Sequence, residues 1–147
     1  MQTFLPYPDF FKSANVLDKK RCWKQVVEAQ QILSVISGAT TSWGNHPAVQ
    51  MWVGHKIYLI KYFNAFLKVC IEKHGINTKY TEHIYFARNP TEMPWWLGNE
   101  DFHRAMRARL IEKDEAFYLP LFPEDKGFNN GKYFWPVMDG SKTFRII

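Results

Sequence analysis

Apolar side chains recur at three- and four-residue steps in three stretches of this chain, and that spacing marks one face of an α-helix. The first stretch contains the apolar stripe Val26, Ala29, Leu33 and Ile36. Asp18 precedes the stripe at an N-cap position, and Gly38 follows it as a helix stop. The pattern predicts one short and one long helix between Asp9 and Gly38.

The second stretch, from Pro47 to Gly75, is the most apolar of the three. Pro47 suits the first turn of a helix and Gly75 suits the end of one, so the pattern predicts a single long helix through the centre of the fold. Gly54 interrupts the apolar spacing, and we expect it to mark a close approach between helices.

The remaining segments complete an all-α prediction. Residues 100–115 alternate polar and apolar side chains as an amphipathic helix does, whereas two prolines in 1–8 favour an ordered, extended arm. Residues 76–98 have the composition of a loop. The aromatic, turn-rich tail at 116–147 predicts irregular structure packed over the helices, with a hairpin around Asn129-Asn130-Gly131. The predicted fold is compact, with three to four main helices.

Length and composition limit the class of protein. The 147 residues suit one domain, 1–147, and a hydrophobic content of 46% with 17% aromatics is enough for a core. Lysines interrupt the apolar stretches too often for a membrane-spanning helix, and no secretion signal is visible at the start, so we expect a cytoplasmic protein. Cys22 and Cys70 are too few for a disulfide framework and predict buried thiols.

The formal net charge of +5, from 19 Lys and Arg against 14 Asp and Glu, favours an anionic partner such as nucleic acid. Seven cations lie on predicted helices or in the tail, where they could contact phosphates: Arg21, Lys24, Arg104, Arg107, Arg109, Lys113 and Lys132. Tyr133 and its aromatic neighbours add rings that can stack on bases. The alternative interpretations are a solvated helix face and an aromatic tail that covers the core.

Glu28 lies on the same side of its predicted helix as Arg21 and Lys24. A carboxylate in this position is either a surface partner of Lys24 or a general acid or base beside a track of phosphate-binding cations. His46, directly before the predicted central helix, suits a helix cap, a core hydrogen bond or the wall of a site.

Motifs of metal sites and of common enzymes are missing from the sequence. Cys70 and His74 have helical i,i+4 spacing, but no second ligand pair occurs at zinc spacing. A nucleophilic-serine elbow, a phosphate-binding glycine loop, a dinucleotide fingerprint and a Cys-His protease signature are also missing. We therefore expect neither a metal nor a cofactor.

Three segments carry a resemblance to a known family. They are LDKKRCWKQVVEA at 17–29, NHPAVQMWVGHKIYLIKYFNAFLKVCIEKHG at 45–75 and RARLIEKDEAFY at 107–118, and the tail at 131–134 adds a looser match. Together they resemble the phage pyrimidine-dimer DNA glycosylases of the endonuclease V type. The chain is also similar to small bacterial and phage proteins that begin Met-Gln-Thr-Phe-Leu-Pro, which we associate with the same superfamily.

The resemblance implies a compact helical enzyme that acts on double-stranded DNA, and we expect a monomer. In that family the N-terminal arm places the terminal α-amine in the active site. The amine attacks C1′ of the damaged nucleotide with help from a glutamate, a Schiff base forms, and β-elimination nicks the strand. By position, Glu28 matches this glutamate and Arg21 matches a DNA-contacting histidine. Arg109 and Lys113 match the phosphate-binding Arg and Lys of the family.

The chain departs from the family pattern near its start. Residue 2 is Gln2, which is too large for ready removal of Met1, whereas the family exposes a small residue, usually Thr. Val27 replaces an Arg beside the catalytic glutamate, and the interval from the start to Glu28 is longer than in the family. The predicted nucleophile is therefore the amine of Met1, or that of Gln2 after unusual processing.

These observations favour a DNA glycosylase that excises a damaged or modified pyrimidine, with AP-lyase activity as a second step. Two other hypotheses stay open. One is a DNA-binding or protein-interaction module that keeps the scaffold without its reaction. The other is an N-glycosidase that acts on free nucleosides or nucleotides.

Overall fold

The computed structural model describes residues 1–39, 42, 44–86 and 92–147. In these ranges the α-helices are α1 (Phe10–Val16), α2 (Lys19–Ile36), α3 (Pro47–Gln50), α4 (Lys56–Glu72), α5 (Glu100–Lys113) and α6 (Glu115–Tyr118). Two 3-10 turns, Pro123–Asp125 and Phe128–Gly131, precede a small hairpin of β1 (Phe134–Pro136) and β2 (Phe144–Ile146). The predicted all-α class is confirmed. Within the described ranges, every helix is too short or too polar to cross a lipid bilayer.

Acidic caps begin the first two helices. Asp9 accepts a hydrogen bond from the backbone N–H of Lys12 at 2.8 Å, and Asp18 accepts one from that of Arg21 at 3.3 Å. The apolar stripe of α2 then faces the core. The predicted pair of a short and a long helix is confirmed, together with the cap at Asp18.

The prediction of one long central helix is wrong, because the helix is broken into α3 and α4. His46 caps α3 by accepting the N–H of Ala48 at 3.0 Å, and α3 ends after one turn. Gly54 then adopts a φ of +83°, which is outside the range of a right-handed helix. No described atom lies within 4 Å of the place where a Cβ on Gly54 would stand. The glycine therefore serves a turn, and the expected close approach of helices at this residue is also wrong.

Helix α4 runs through the centre of the core and packs along α2. Tyr62 and Phe66 of α4 are fully buried and stack with ring centroids 4.1 Å apart. Cys22 of α2 and Cys70 of α4 are buried free thiols with their Sγ atoms 3.2 Å apart. The predicted buried thiols are confirmed, and the contact shows how closely the two helices approach.

Helices α5 and α6 connect the second half of the chain to the start of α2. The fully buried Tyr118 of α6 donates its hydroxyl hydrogen to the Asp18 carboxylate and accepts the Asp18 backbone N–H at 3.0 Å. Burial alone would raise the pKa of Asp18, but the hydrogen bonds from Tyr118 and Arg21 outweigh it and leave that pKa below its ordinary value. The predicted amphipathic helix is confirmed as α5.

The predicted hairpin at Asn129-Asn130-Gly131 is wrong. Both asparagines have a left-handed φ inside a 3-10 turn, and the hairpin forms later, where β1 pairs antiparallel with β2. Trp135 of β1 is buried, so this part of the tail covers the core. Tyr118 and Trp135 are therefore enclosed and cannot stack on bases. Positions 87–91 of the predicted loop lie outside the described residues.

Candidate active site

The N-terminal arm lies inside the fold and is held there by α2 and α4. The N–H of Phe4 donates to Oε1 of Gln25 at 2.7 Å. The hydroxyl of Tyr62 lies 2.9 Å from the Phe4 carbonyl and 3.1 Å from the same Gln25 oxygen. Gln25 and Tyr62 are both essentially buried, so the arm takes the place of a packed element between two helices. The predicted ordered, extended arm is confirmed.

Two further side chains fix the arm on either side of Phe4. Nε1 of Trp52 donates to Oγ1 of Thr3 at 3.1 Å. His103 of α5 donates from Nδ1 to the Leu5 carbonyl at 2.7 Å, and its Nε2 accepts the N–H of Gly98 at 2.9 Å. Burial lowers the pKa of His103, which agrees with the neutral ring that these two contacts require.

Glu28 lies beside the first residues of the arm. Its side chain is buried, and Oε2 accepts the backbone N–H of Gln2 at 3.0 Å. The described ion pairs contain no pair between Glu28 and Lys24, so the surface-pair interpretation of this carboxylate is wrong. The acidic group instead meets the backbone nitrogen that follows Met1.

A cleft of about 340 Å³, which we call the arm cleft, opens over this contact. The buried residues of its floor are Gln2, Phe4, Gln25 and Glu28. The cations on its rim are Lys20, Arg21, Lys24 and Lys113, and Met1 and Tyr133 complete the lining. One carboxylate therefore lies beneath four cations, which is an arrangement suited to a ligand with phosphates and a reacting centre between them.

Lys113 is the cation that α5 contributes to the rim. Burial lowers its pKa, and the nearby charges of Arg109, Arg21 and Lys24 lower it further. Its ammonium group also lies 6.0 Å from the centre of the Phe4 ring in the floor. Because these like charges repel one another, an anion bound at the rim would reduce the repulsion.

Tyr133 lines the arm cleft, whereas His46 is not among the lining residues and lies near the start of the chain. Burial raises the pKa of Tyr133, with partly opposing effects from the Gln2 amide and the Arg109 charge, and the Arg109 guanidinium lies 5.5 Å from the Tyr133 ring centre. Burial lowers the pKa of His46, and the positive charge of the N-terminal amine lowers it further. His46 packs edge-on against Trp135, behind Tyr133. It is a helix cap and also a neighbour of the chain's start.

Two cations that were predicted to bind DNA lie elsewhere. Arg107 donates to Asp125 at 2.7 Å, to Glu100 at 2.9 Å and to the Pro6 carbonyl at 2.8 Å, and its side chain is buried. Arg104 donates to the same Asp125 at 2.9 Å. These guanidinium groups hold the far end of the arm and the segment after α6, because their donors are occupied by carboxylates and a carbonyl.

The other predicted cations have different positions around the arm cleft. Arg109 lies against the ring of Tyr133 and forms an exposed ion pair with Glu112 at 3.2 Å. Lys132 is exposed on the chain just before Tyr133. Arg21, Lys24 and Lys113 are the predicted cations that line the cleft itself.

Sequence reasoning missed three residues that shape the cleft. Lys20 precedes Lys24 and Glu28 at four-residue steps, and this spacing could have placed it on the same face of α2. The sequence gives no comparable sign for Gln25 and Phe4. The two residues are more than twenty positions apart, and only the fold brings them into contact.

Comparison with known proteins shows the family of the chain. Within the described residues, no group of three or more His, Cys, Asp and Glu side chains is arranged to hold a metal ion. No curated protein and no solved structure is significantly similar to the chain. The sequence model for the pyrimidine dimer DNA glycosylases matches residues 1–83, which include the arm, Glu28 and all of α4. Since this match covers more than half of the 147 residues, the chain belongs to the pyrimidine dimer DNA glycosylase family.

Proposed function

We propose that this chain cleaves the glycosidic bond of a pyrimidine-dimer base in double-stranded DNA, with an amine at the start of the chain as nucleophile and Glu28 as its proton-transfer partner. The contact that carries the proposal is the 3.0 Å hydrogen bond between the Gln2 nitrogen and the Glu28 carboxylate in the floor of the arm cleft. The family match supports a glycosylase acting on DNA.

The position of Gln2 favours one of the two predicted nucleophiles. With Met1 in place, the nitrogen of Gln2 is an amide and cannot attack carbon. Removal of Met1 would turn the same atom into a primary α-amine beside Glu28. An α-amine has a pKa near 7.7 to 8.0, so a useful fraction is neutral at cellular pH. The amine of Met1, on the side of His46, is the second candidate.

The chemistry then follows from the residues in the floor. The neutral amine attacks C1′ of the damaged nucleotide and the bond from C1′ to the base breaks. The base keeps the electron pair, takes a proton, and stays joined to its dimer partner through the cyclobutane ring. Glu28 accepts the proton that the amine loses and can return one to O4′ as the sugar ring opens to a Schiff base. Loss of a 2′ proton then expels the 3′ phosphate, which is the lyase step.

The rim supplies the contacts to the DNA backbone. Lys20, Arg21, Lys24 and Lys113 surround the opening of the arm cleft, and each can neutralise a phosphate oxygen. A base turned out of a damaged duplex costs less to unstack, which assists entry into such a cleft.

The test uses a duplex with a single cyclobutane thymine dimer. We expect the wild type to cleave the glycosidic bond of one base of the dimer and to form a covalent adduct under borohydride. Photoreversal of the dimer then frees the cleaved base for detection. Glu28→Gln should lower both rates about 10²- to 10⁴-fold, because it removes the proton acceptor. It should keep DNA affinity within about threefold, because the rim is intact.

Glu72→Gln, an exposed change on α4, is the matched control and should behave as the wild type. Intact-mass measurement of the same sample identifies the first residue. A wild type that binds the duplex but cleaves no glycosidic bond and forms no adduct would refute the enzymatic proposal.

A further inference from the structure

The two cysteines of the chain meet in the core, where α2 packs against α4. Cys22 and Cys70 are 48 positions apart, and their Sγ atoms lie 3.2 Å from each other. Both residues are fully buried, and both are free thiols. A small apolar side chain at either position would serve the packing, so packing by itself does not require two sulfur atoms in contact.

The contact is close to the geometry of a disulfide bond. Bonded sulfur atoms lie roughly 2.0 Å apart, so the two Sγ atoms need to approach by about 1 Å. The Cys22 Sγ also lies 3.9 Å from the Phe66 carbonyl, one turn before Cys70, which directs this side chain onto the same strip of α4. A shared metal ion is not supported, because no third ligand joins the two thiols in the described parts of the chain.

The two thiols differ in reactivity. The hydrogen bond to the Cys22 sulfur lowers the pKa of Cys70, with burial partly opposing it. The same bond and burial raise the pKa of Cys22. Since a thiolate is the reactive form, Cys70 is the nucleophile of the pair. Both sulfurs are reached only through local opening of the fold, and this favours a small oxidant such as a peroxide over a bulky disulfide reagent.

We propose that Cys22 and Cys70 are a site of reversible oxidation, at which hydrogen peroxide converts the two thiols to a disulfide between α2 and α4. The Cys70 thiolate attacks one peroxide oxygen, the O–O bond breaks, and the released hydroxide takes the proton that Cys70 lost. The Cys22 sulfur then attacks the sulfenic acid on Cys70, the S–O bond breaks, and the hydroxide leaves as water with the Cys22 proton. The sulfur pair loses two electrons, and the peroxide gains them.

The disulfide would connect the two helices that hold the N-terminal arm. Gln25 of α2 accepts the N–H of Phe4, and Tyr62 of α4 contacts the carbonyl of the same residue. A bond between positions so far apart in sequence restricts the unfolded chain strongly, so the oxidised protein should resist unfolding more than the reduced one. The inference is independent of the proposed function.

The test treats the folded wild type with millimolar hydrogen peroxide, alkylates the remaining thiols and digests the protein with trypsin without a reductant. We expect the peptides 22–24 and 69–73 to be joined and to separate when dithiothreitol is added. The melting temperature should rise by about 5 °C or more and return with the same reductant. The five methionines can also be oxidised, but dithiothreitol does not reverse that change, so only the reversible shift is assigned to the disulfide.

Cys22→Ala and Cys70→Ala are the matched controls. Each variant keeps one thiol and all five methionines, and it should show neither the joined peptides nor a reversible shift in melting temperature. If a variant does not fold, the peptide map of the wild type still decides the question.

Four results would overturn the inference. They are two thiols that remain free to alkylation, a sulfinic acid on Cys70, a crosslink between two molecules, and a crosslink that forms in urea but not in the folded protein. A crosslink that leaves the melting temperature unchanged would also overturn it, because the disulfide would then not hold α2 against α4.

Discussion

Glu28 shows how a single side chain depends on its surroundings. A buried carboxylate is costly unless it is hydrogen-bonded or near opposite charge. The N–H of Gln2 supplies the bond at 3.0 Å, and the four cations of the rim supply the charge. The same surroundings offset the cost of burying the carboxylate that the proposed reaction uses.

Lys113 provides a prediction at the same scale. If its ammonium contacts a phosphate, Lys113→Ala should weaken binding to duplex DNA and reduce the slope of log K against log salt concentration by about one. Fluorescence anisotropy over a series of salt concentrations measures both quantities. Lys68→Ala, an exposed change on α4 away from the arm cleft, is the control and should leave the slope unchanged.

The lowered pKa of Lys113 adds a pH dependence. Lys113 loses its charge as pH rises through that lowered value, so DNA affinity should decline at a lower pH than an ordinary lysine would allow. Lys113→Arg should remove this decline, since a guanidinium stays charged. An identical pH profile in Lys113→Arg and wild type would show that this residue does not contact the phosphate.

Residue-level prediction from sequence succeeded where one helix face held the signal. Arg21, Lys24 and Glu28 repeat along α2, and the structure brings all three to one cleft. It did not anticipate that Arg107 is buried against Asp125, because a charged residue on an amphipathic helix looks the same whether it faces solvent or a buried carboxylate. It also had no means of pairing Gln25 with the backbone of Phe4.

At the scale of elements, the break between α3 and α4 decides where the arm can lie. Trp52 lies in this break, and its Nε1 donates to Oγ1 of Thr3 in the arm. Apolar spacing alone predicted a single helix, because Gly54 costs only about 1 kcal/mol in a helix interior and the pattern continues past it. The positive φ of Gly54 is a tertiary requirement that periodicity does not report.

Gly54→Ala distinguishes a continuous helix from the broken one by the sign of its effect on the free energy of unfolding. In a continuous helix the substitution would stabilise the protein by about 0.8 to 1 kcal/mol. With a φ of +83° it should destabilise the protein by about 1 to 2 kcal/mol, because a Cβ disfavours that conformation. Urea unfolding of the purified variant and wild type measures the difference, and a gain in stability would contradict the break.

At the scale of the whole molecule, the buried arm is the feature that connects the helices. Its residues contact α2 through Gln25, α4 through Tyr62 and α5 through His103 and Arg107. The arm therefore belongs to the core, and its early residues are carried to Glu28 by the same packing that stabilises the fold. Two prolines predicted an ordered arm, but its burial depends on contacts that are distant in sequence.

The network around Arg107 gives a prediction for stability. Arg107→Leu would leave the buried Asp125 with one partner and remove a donor from the Pro6 carbonyl. We expect a loss of about 3 kcal/mol in the free energy of unfolding, with little change in DNA affinity at low temperature. Thermal melts and anisotropy measure the two effects.

Arg145→Leu on the exposed hairpin is the control for a lost surface charge. If Arg107→Leu kept its melting temperature but lost DNA affinity, Arg107 would be a phosphate contact after all.

The most direct test of the central claim is to find which nitrogen forms the covalent adduct. The protein is trapped with borohydride on an abasic-site duplex, digested, and mapped by mass spectrometry. We predict that the sugar remnant lies on the α-amine of the first residue and disappears when that amine is selectively blocked. An adduct on Lys24 or Lys113, which face the same cleft, would contradict the account, as would a failure to form any adduct.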